Sequence, residues 1–515
     1  MLVKTYAAAL QSIHAEIVTI EVNVSEGTWF QLVGLPDAAI RESHERIKSA
    51  IEIAGYEMPC SNVVINMSPA DLRKEGAAYD LPLAVGLLAA DEQLPYEKLN
   101  EIMMMGELGL DGKLKPIKGA LPIAMLAQKE GYKSLIIPRE NAREAAVVKG
   151  LKVYAGDNLK EICNFLATGE EPEIIEIDTD QELHIQQEQI EADFSDVRGQ
   201  ENVKRALEVA AAGGHNVLMI GSPGSGKSMM AKRMPGILPP LSMEESLETT
   251  MIYSVSGKLK ANTTLMTKRP FRSPHHTVSP VALVGGGTHP KPGEISLAHN
   301  GVLFLDELAE YNRAVLEVMR QPLEDRKITI ARAKYTVDYP ASFMMVAAMN
   351  PCPCGYYNHP TRECTCPQYK IQRYLSKISG PLLDRIDIQV EIVPVPFEEI
   401  SDTEPAESSK KIRQRVVNAR KIQQERFKNA KHVHCNAQMT PAQIRKFVRP
   451  DEEGLERLKQ AMDRFGISAR AYDRILRVAR TIADLEYSID VTSKHIAEAI
   501  SYRNLDRKTW GQKAF

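Results

Sequence analysis

Hydrophobic and polar positions follow regular periods along most of the chain, and before residue 170 these periods predict a mixture of strands and helices. Ile20, Val22 and Val24 are apolar while the residues between them are polar, which is the two-residue period of a half-buried strand. Further strands are predicted at 28–33 and 63–67, and helices at 39–51 and 82–90. This pattern favours a domain of the α+β or α/β class.

Beyond residue 200 the pattern consists of short, continuous apolar runs that helical segments separate. Such runs are typical of a parallel sheet that helices cover on both faces. The runs lie at 217–220, 302–305 and 343–348, and the first helix of this region is predicted at 202–212. From about residue 396 the pattern is helical, most clearly at 412–427 and 469–486. We therefore expect an α/β core followed by an all-α segment.

The charge pattern separates these regions. Residues 170–197 contain eleven acidic side chains and no lysine or arginine, which is typical of a solvated linker. The predicted organisation is a domain over 1–169, an acidic linker over 170–192, an α/β core over 193–395 and a helical lid over 396–515.

Composition excludes several classes of protein. The 515 residues are 43% hydrophobic and 25% charged, as in ordinary globular proteins, and no secretion signal or apolar run of about 18 residues is present. We therefore expect a cytoplasmic protein. The net charge of -3 gives no overall sign of nucleic-acid binding, but residues 401–515 carry nine more positive than negative side chains. These charges either lie on solvated helix faces or bind phosphate, and composition leaves both interpretations open.

A glycine-rich loop follows the predicted strand 217–220. The run Gly221-Ser222-Pro223-Gly224-Ser225-Gly226-Lys227-Ser228 matches the phosphate-loop pattern G-x-x-x-x-G-K-[ST] at every fixed position, and a helical stretch follows it. In such a loop backbone N–H groups surround the β-phosphate, Lys227 reaches the β- and γ-phosphate oxygens, and the Ser228 hydroxyl binds Mg²⁺. The motif and its flanks together predict an ATP site.

Polar side chains follow two other predicted strands of the core. Asp306 and Glu307 come directly after one strand, and Asn350 follows another. At the carboxyl edge of a parallel sheet we expect Asp306 to hold Mg²⁺ with Ser228, and Glu307 to orient and polarise the attacking water. Asn350 is expected to contact the γ-phosphate or that water, and a turn asparagine before a proline is the alternative.

The phosphate loop, the acidic pair and the asparagine, followed by a helical lid, resemble an AAA+ ATPase. Over nearly the whole chain, further blocks resemble the magnesium-chelatase-like branch and, within it, the YifB/ComM group. These blocks are Arg272-Ser273-Pro274-His275-His276-Thr277, Gly285-Gly286-Gly287, 291–298 and 301–308. The resemblance implies a P-loop AAA+ core with a parallel sheet, a helical C-terminal lid, ATP and Mg²⁺ as ligands, and a homo-oligomeric ring, with a hexamer as the expected size.

The resemblance also implies two arginines that act on the nucleotide. Arg385, within 380–387, resembles an arginine finger that enters the site of a neighbouring subunit. Arg470 resembles the lid residue called sensor 2, which approaches the γ-phosphate. A planar guanidinium suits charge that is spread over phosphoryl oxygens, and a finger contributes about 10³- to 10⁵-fold in rate. Arg373 and Arg474 are competing assignments.

Four cysteines crowd into one short stretch behind Asn350. They form two CxC pairs, and four thiolates in two short-spaced pairs can close a tetrahedral Zn²⁺ site. The spacing is less common than CxxC, and free thiols are the alternative; His359 is a spare candidate ligand. The paired cysteines are Cys352, Cys354, Cys364 and Cys366, while Cys60, Cys163 and Cys435 are isolated and predicted to be inert.

Three blocks of the N-terminal domain resemble the fold of the Lon proteolytic domain. They lie at 106–114, 117–120 and 136–141. Those proteases use a serine that a lysine activates. Here Ala78 stands in the serine position and Leu121 in the lysine position, so the resemblance implies a Lon-protease-like α+β domain without peptidase activity, used for assembly or substrate binding. Ser68 with Lys74 is the substitute pair that would contradict this interpretation.

Two stretches of the core are candidates for lining the pore of a ring. Residues 328–337 alternate and predict a β-hairpin with Arg332 and Lys334 near its tip, similar to the hairpin with which helicases of the minichromosome-maintenance type grip DNA. An exposed charged hairpin without a ligand is the alternative. The other stretch is 279–291.

These features lead to two hypotheses of different class. The first is an ATP-driven DNA translocase or helicase that binds single-stranded or branched DNA, since the YifB/ComM group is implicated in branch migration during recombination of incoming DNA. The second is a chelatase-like motor that remodels a protein partner and binds no DNA. The residues at positions 78 and 121 disfavour an ATP-dependent protease.

Overall fold

The chain forms two compact units of unequal size. A computed structural model describes residues 1–179, 181–183, 192–260, 263–287, 290–332, 335–395, 406–430, 433–465 and 468–503. The first unit contains Met1–Ile185 and Ser242–Thr267, and the second contains Gln186–Leu241 and Lys268–Phe515. The segment Ser242–Thr267, which the sequence analysis places in the α/β core, thus packs with the N-terminal residues.

Strands and helices occur throughout both units. The strands are β1 (Leu2–Gln11), β2 (His14–Ser25), β3 (Phe30–Val33), β4 (Asn62–Ser68), β5 (Ile102–Met104), β6 (Glu107–Leu108), β7 (Leu114–Lys115), β8 (Ser134–Pro138), β9 (Lys152–Gly156), β10 (Glu173–Ile174), β11 (Val217–Gly221), β12 (Phe271–Arg272), β13 (Gly285–Gly286), β14 (Lys291–Pro292), β15 (Val302–Leu305), β16 (Lys327–Arg332), β17 (Tyr335–Pro340), β18 (Met344–Met349) and β19 (Ile388–Ile392). The α-helices are α1 (Ala38–Arg41), α2 (Ser43–Ala54), α3 (Asp80–Ala90), α4 (Ala120–Lys129), α5 (Arg139–Ala145), α6 (Leu159–Thr168), α7 (Glu201–Gly213), α8 (Lys227–Ile237), α9 (Met243–Ser256), α10 (Pro280–Val284), α11 (Glu294–Leu297), α12 (Arg313–Val318), α13 (Arg320–Asp325), α14 (Gln368–Leu375), α15 (Gly380–Leu383), α16 (Ser409–Phe427), α17 (Pro441–Phe447), α18 (Glu452–Phe465), α19 (Ala469–Leu485) and α20 (Ser493–Ser501).

The first unit is built on a mixed sheet of eight strands in the order β10-β9-β8-β5-β1-β2-β4-β3. The predicted alternation in β2 is present, since Ile20 and Val22 are fully buried while Glu21 between them is partly exposed. Every residue of α3 is buried, and this helix packs against β1 and β2. The strands predicted at 28–33 and 63–67 are present as β3 and β4, and the helix predicted at 39–51 divides into α1 and α2.

The segment that contains α9 joins the first unit from a distant place in the sequence. The helix packs against α4, and the buried carboxylate of Glu144 accepts hydrogen bonds from the Ser254 hydroxyl and from the backbone N–H of Leu121, the latter at 2.8 Å. Burial raises the pKa of Glu144, although these hydrogen bonds oppose the shift. The chain leaves the second unit after Leu241 and returns to it at Lys268, so three covalent connections join the two units.

The second unit is built on a five-stranded sheet in the order β12-β15-β18-β11-β19, and all of its neighbouring strands run parallel. Every residue of β11, β15 and β18 is buried, as the continuous apolar runs predict. The helices predicted at 202–212, 412–427 and 469–486 are confirmed as α7, α16 and α19. Because the strands are parallel, the loops after β11, β15 and β18 meet at one edge of the sheet.

Two β-hairpins leave this core. Strands β16 and β17 pair antiparallel, as the sequence predicts for 328–337, and β13 pairs with β14 within the predicted stretch 279–291. No helix in the described part of the chain is long and apolar enough to cross a membrane.

The predicted acidic linker contains a short strand. Glu173–Ile174 form β10, which pairs antiparallel with β9 at the edge of the first sheet, and Glu173 pairs with Arg139. Residues 180 and 184–191 of the predicted linker lie outside the described residues. The chain therefore continues the first sheet beyond residue 169.

Candidate ATP site and cysteine cluster

The phosphate loop joins β11 to α8 at the carboxyl edge of the parallel sheet. Gly224 and Gly226 have φ of +78° and +92°, a region that residues with side chains rarely adopt, so glycine is needed for the turn. Helix α8 begins at Lys227, which leaves its first N–H groups available to an anion. The buried Ser225 hydroxyl has no hydrogen-bond partner among the described residues, and a phosphate oxygen would satisfy it. This cradle fits a nucleoside triphosphate.

Lys227 lies inside the loop and is 9% exposed. Its Nζ donates hydrogen bonds to the carbonyl oxygens of Gly221 and Ser222 at 2.7 and 2.8 Å, and to Oδ1 of Asn350 at 3.3 Å. Burial lowers the pKa of Lys227, and the carboxylates of Asp306 and Glu307 oppose that shift. Since hydrogen bonds between charged groups are stronger than those to neutral oxygens, a phosphate would displace the carbonyls.

The serine and the acidic pair meet beside this lysine. The Ser228 hydroxyl donates to Oδ2 of Asp306 at 2.6 Å, and Oδ1 of Asp306 accepts the backbone N–H of Glu307 at 3.0 Å. A hydroxyl and a carboxylate oxygen this close form a donor set that Mg²⁺ prefers. The donors present therefore fit the metal that an AAA+ ATPase uses.

Glu307 has a partner that sequence reasoning missed. Its Oε2 lies 3.2 Å from Nδ1 of His276, whose ring is tilted by 34° against that of His275 at 4.1 Å between centroids. Glu307 has φ of +51°, which turns the chain sharply at the end of β15. His276 belongs to the sequence block Arg272–Thr277, but that block does not indicate a contact with Glu307. Only the fold brings the two side chains together.

Asn350 is the polar tip of β18, the strand between β11 and β15. Its side-chain oxygen accepts from Lys227, so the structure brings together the loop lysine, the serine, the acidic pair and the asparagine. The interpretation of Asn350 as a turn residue alone does not explain this contact.

Arg385 lies at the opposite end of the sheet. It precedes β19, whose first residue Ile388 pairs with Val217 at the start of β11, whereas the phosphate loop follows the end of β11. The five residues of β11 span about 13 to 17 Å, which is beyond the reach of an arginine side chain. Arg385 therefore does not serve the phosphate loop of its own chain.

Arg470 lies with Arg385 and away from the phosphate loop of its own chain. Both line one cavity of about 370 Å³, which three further arginines also line. Arg470 therefore lies at the amino edge of the sheet, where α19 begins, and its approach to the γ-phosphate remains a prediction. The other arginines of the cavity are Arg326, Arg474 and Arg477.

Two arginines of the cavity, Arg385 and Arg477, each have a free donor within the described part of the chain. Arg385 is 7% exposed and pairs with Glu324, while its Nε has no hydrogen-bond partner among the described residues. Arg373, one of the two competing assignments, is exposed on α14 and does not line this cavity. The cavity thus places five arginines beside four carboxylates of this chain, and Arg385 and Arg477 keep donors that these carboxylates do not satisfy.

Arg474, the other competing assignment, is held by a buried acid. It pairs with Asp387, which is 2% exposed and also accepts the backbone N–H of Asn216 at 2.9 Å. Burial raises the pKa of Asp387, but Arg474 and His215 outweigh it and hold that pKa well below its ordinary value. This buried pair joins α19 of the lid to the base of β11, so Arg474 has a structural partner already.

The four clustered cysteines converge in space. The Sγ atom of Cys352 lies 3.3 Å from that of Cys354 and 3.6 Å from that of Cys364, and Cys354 and Cys364 are also 3.6 Å apart. With Cys366, all four sulfur atoms lie within 4.8 Å of one another. A tetrahedral Zn²⁺ site with Zn–S bonds of about 2.3 Å places its sulfurs about 3.8 Å apart, so the donors fit a metal ion.

The remaining cysteines and His359 take no part in this cluster. Cys163 and Cys435 are buried and isolated, Cys60 is exposed, and Nδ1 of His359 accepts the backbone N–H of Arg362 at 3.1 Å. Within the described residues, the set that could hold a metal ion therefore consists of these four thiols.

The two predicted DNA contacts lie at a tip that the structure describes in part. Arg332 is the last residue of β16 and its backbone pairs with Tyr335, while Lys334 lies outside the described residues. At the other end of the hairpin, Lys327 pairs with Asp338 at 3.1 Å. The hairpin is confirmed as a structure, and its role in binding remains a prediction.

The positions compared with the serine and lysine of Lon-type proteases lie in the first unit. Ala78 lies in a short 3₁₀ turn and Leu121 is fully buried in α4. The fully buried Lys74 donates to the carbonyl oxygens of Gly34 and Pro69, the former at 3.1 Å. The absence of peptidase activity remains a prediction.

Three family models match the chain and together cover most of it. The model described as magnesium chelatase, subunit ChlI matches 193–400, subunit ChlI of Mg-chelatase matches 20–141, and the ChlI C-terminal model matches 406–503. The N-terminal region is also similar to Lon protease 2 of Bacillus subtilis, at 28% identity over 23% of this chain and 21% of that protein.

Two full-length relatives carry the comparison further. The chain is 44% identical to the uncharacterized protein YifB of Escherichia coli, over 98% of this chain and 97% of that protein. It is 42% identical to competence protein ComM of Haemophilus influenzae, over the same shares. With the phosphate loop, the acidic pair and the parallel sheet, these matches show that the chain is an AAA+ ATPase of the magnesium-chelatase-like family, in the group that contains YifB and ComM.

Proposed function

We propose that this chain is an ATP-driven DNA translocase or helicase that works as a ring of six copies and promotes branch migration when incoming DNA recombines. One observation carries the proposal: the residues that bind and hydrolyse ATP lie at one edge of the sheet, and Arg385 and Arg470 lie at the other. A second copy whose arginine edge meets the phosphate loop of the first completes the site, and repetition of that head-to-tail contact closes a ring. The relative named a competence protein supports the link to incoming DNA.

At the completed interface the phosphate loop binds the nucleotide. Lys227 and the N–H groups at the start of α8 bind the β- and γ-phosphates, and Ser228 with Asp306 would hold Mg²⁺. When bound, Mg²⁺ neutralises charge on the phosphate oxygens. The lysine exchanges its carbonyl partners for phosphate oxygens as the nucleotide enters.

Glu307, Asn350 and the arginines of the neighbouring copy act on the reacting atoms. Glu307, positioned by His276, orients the attacking water and accepts its proton, and Asn350 holds the γ-phosphate or that water. Arg385 and Arg470 of the neighbouring copy stabilise the charge that develops on the γ-phosphate. Hydrolysis then requires two copies for each site.

The hairpin of β16 and β17 is the proposed grip on DNA. Arg332 and Lys334 near its tip supply two cations from each copy, and a ring multiplies them around a central strand. Contacts of this kind bind phosphates without reading sequence, as a translocase requires. The substrate class that fits is single-stranded or branched DNA.

Strand displacement on forked and three-stranded DNA with ATP tests this function. We expect DNA to stimulate ATP hydrolysis, and we expect Glu307→Gln to bind ATP and DNA without displacing strands. Replacement of Arg332 and Lys334 by alanine should weaken DNA binding and lower the slope of log affinity against log salt by about 0.7 to 0.9 for each lost phosphate contact. Lys327→Ala, at the paired end of the same hairpin, is the matched control and should keep that slope.

The result that contradicts the proposal is specific. A chain that oligomerises and hydrolyses ATP, but is neither stimulated by DNA nor bound to forked or three-stranded DNA, would instead be a motor that remodels a protein partner.

We also propose that Cys352, Cys354, Cys364 and Cys366 hold one structural Zn²⁺ ion. The sulfur separations and the closed set of four thiols support zinc, since a structural site of this metal offers no open position. Elemental analysis of purified protein should find one zinc per chain, and Cys366→Ser should lower that content.

A further inference from the structure

The cysteine cluster lies against the ATP site, and the sequence gives no reason for that placement. Cys352 is fully buried and follows Asn350 by two residues. The loop then turns back, so that Gly355 approaches Pro223 of the phosphate loop. The loop that carries the cluster thus meets the ATP site at two places, Asn350 and Pro223.

The first connection runs through the chain. Asn350 carries the side-chain oxygen that accepts from Lys227 at 3.3 Å, and one residue separates it from the metal-ligating Cys352. The backbone of Asn350 is also hydrogen-bonded to the buried Tyr374, on the helix that begins just after Cys366. Asn350 is therefore connected to both ends of the cysteine loop, to the first end through the chain and to the second through Tyr374.

The second connection is a packing contact. A Cβ atom on Gly355 would lie 2.5 Å from Cδ and 2.8 Å from Cγ of Pro223, far inside van der Waals contact. Gly355 also has φ of +85°, which glycine adopts at little cost. Gly355 thus packs closely against Pro223 of the phosphate loop, and movement of the cysteine loop would move Pro223.

The cysteine loop is irregular, and its internal contacts include the hydrogen bond from Arg362 to the Tyr356 hydroxyl. Residues 351–367 contain no helix or strand, and most of their side chains are exposed or partly exposed. The sulfur atoms of Cys352, Cys354 and Cys364 lie 3.3 to 3.6 Å apart, and that of Cys366 lies within 4.8 Å of them. One metal ion bound by four thiolates would hold all four together. A bound metal ion would therefore link the two ends of the loop, 352–354 and 364–366, more strongly than neutral thiols do.

We propose that the metal-bound cysteine cluster is a positioning element for ATP binding, which holds Asn350 through the chain and Pro223 through Gly355. The proposal rests on the zinc site and the ATP site described above, and it needs neither DNA nor a ring. Removal of the metal frees the loop and weakens nucleotide binding at a site that contains no cysteine. The loss of one hydrogen bond to a charged phosphate costs about tenfold or more in affinity, so a loss of tenfold or more is expected.

The test measures nucleotide affinity rather than hydrolysis. Full-length protein is assayed for bound zinc and for the affinity of a fluorescent ATP analogue, before and after chelation and after Zn²⁺ is added back. We expect at least a tenfold loss of affinity on chelation and its recovery with Zn²⁺. Cys60→Ser, at an exposed and isolated thiol, should respond like the natural chain.

Gly355→Ala separates the contact from the metal. The variant should keep one zinc per chain and yet bind the nucleotide more weakly, because the added methyl group displaces Pro223. Gly131→Ala is the matched control, since Gly131 has φ of +83° and no atom within 4 Å of the added Cβ. It carries the same backbone strain without the contact.

Three results would overturn the proposal. They are the absence of bound metal, equal nucleotide affinity with and without metal, and a Gly355→Ala variant that binds zinc and nucleotide normally. Failure of the DNA motor would appear as lost DNA stimulation with these affinities unchanged, so the two failures are distinguishable.

Discussion

The position of Arg385 makes a quantitative prediction for mixed oligomers. Lys227→Ala removes the phosphate-loop lysine, and Arg385→Ala removes the arginine at the opposite edge of the sheet. Each variant alone should lose nearly all ATP hydrolysis, since a finger contributes about 10³- to 10⁵-fold, or about 4 to 7 kcal/mol. If each site takes its lysine from one copy and its arginine from the next, the two variants can complement one another.

The recovered activity follows from counting interfaces. In a random 1:1 mixture an interface is complete when the first copy retains Lys227 and the second retains Arg385. Each condition holds for half of the copies, so about one quarter of the interfaces are complete, in a ring or in any head-to-tail assembly. If both residues served the same chain, every copy in the mixture would remain defective and activity would stay at the level of the single variants.

The assay is steady-state ATP hydrolysis at fixed total protein, with a control for subunit exchange. The natural chain mixed 1:1 with the double variant Lys227→Ala/Arg385→Ala also leaves about one quarter of the interfaces complete, whereas without exchange it leaves about one half of the activity. Recovery by the two single variants that equals this control supports the shared site. No recovery, in a mixture where the control shows exchange, would refute it.

Two further predictions concern the buried charges of each unit. Asp387→Ala leaves Arg474 unpaired in the interior and should lower the free energy of unfolding of the second unit by about 3 to 5 kcal/mol in chemical denaturation. The double variant Asp387→Ala/Arg474→Ala should lose less than the sum of the losses of the two single variants. Additive losses would contradict the pairing of these residues. Because burial raises the pKa of Glu144, its contribution to stability is present in acid and is lost as the pH rises through the pKa of the folded state. Glu144→Gln keeps the acceptor for Ser254 and should therefore raise the melting temperature of the first unit more at pH 8 than at pH 5. Glu140→Gln, at an exposed acid on the same helix, should change the melting temperature equally at both pH values.

Much of the ATP site could be predicted from sequence because its signals are local. A glycine loop between a strand and a helix, and carboxylates at the end of an apolar strand, are read from adjacent residues. The parallel sheet then places Ser228 and Asp306 together by a general rule of topology, and the structure finds them 2.6 Å apart. The strands β16 and β17 are likewise set by a short alternating run.

Other features depend on contacts between residues far apart in the chain, and sequence periods do not specify these. The pairing of Glu307 with His276, the transfer of α9 to the first unit and the common cavity of Arg385 and Arg470 belong to this class. The approach of Gly355 to Pro223 does as well. Sequence alone determined which groups this protein brings to ATP, because motifs and strand periods are local. Only the tertiary structure decided which edge of the sheet each group occupies, because that follows from long-range packing and strand order.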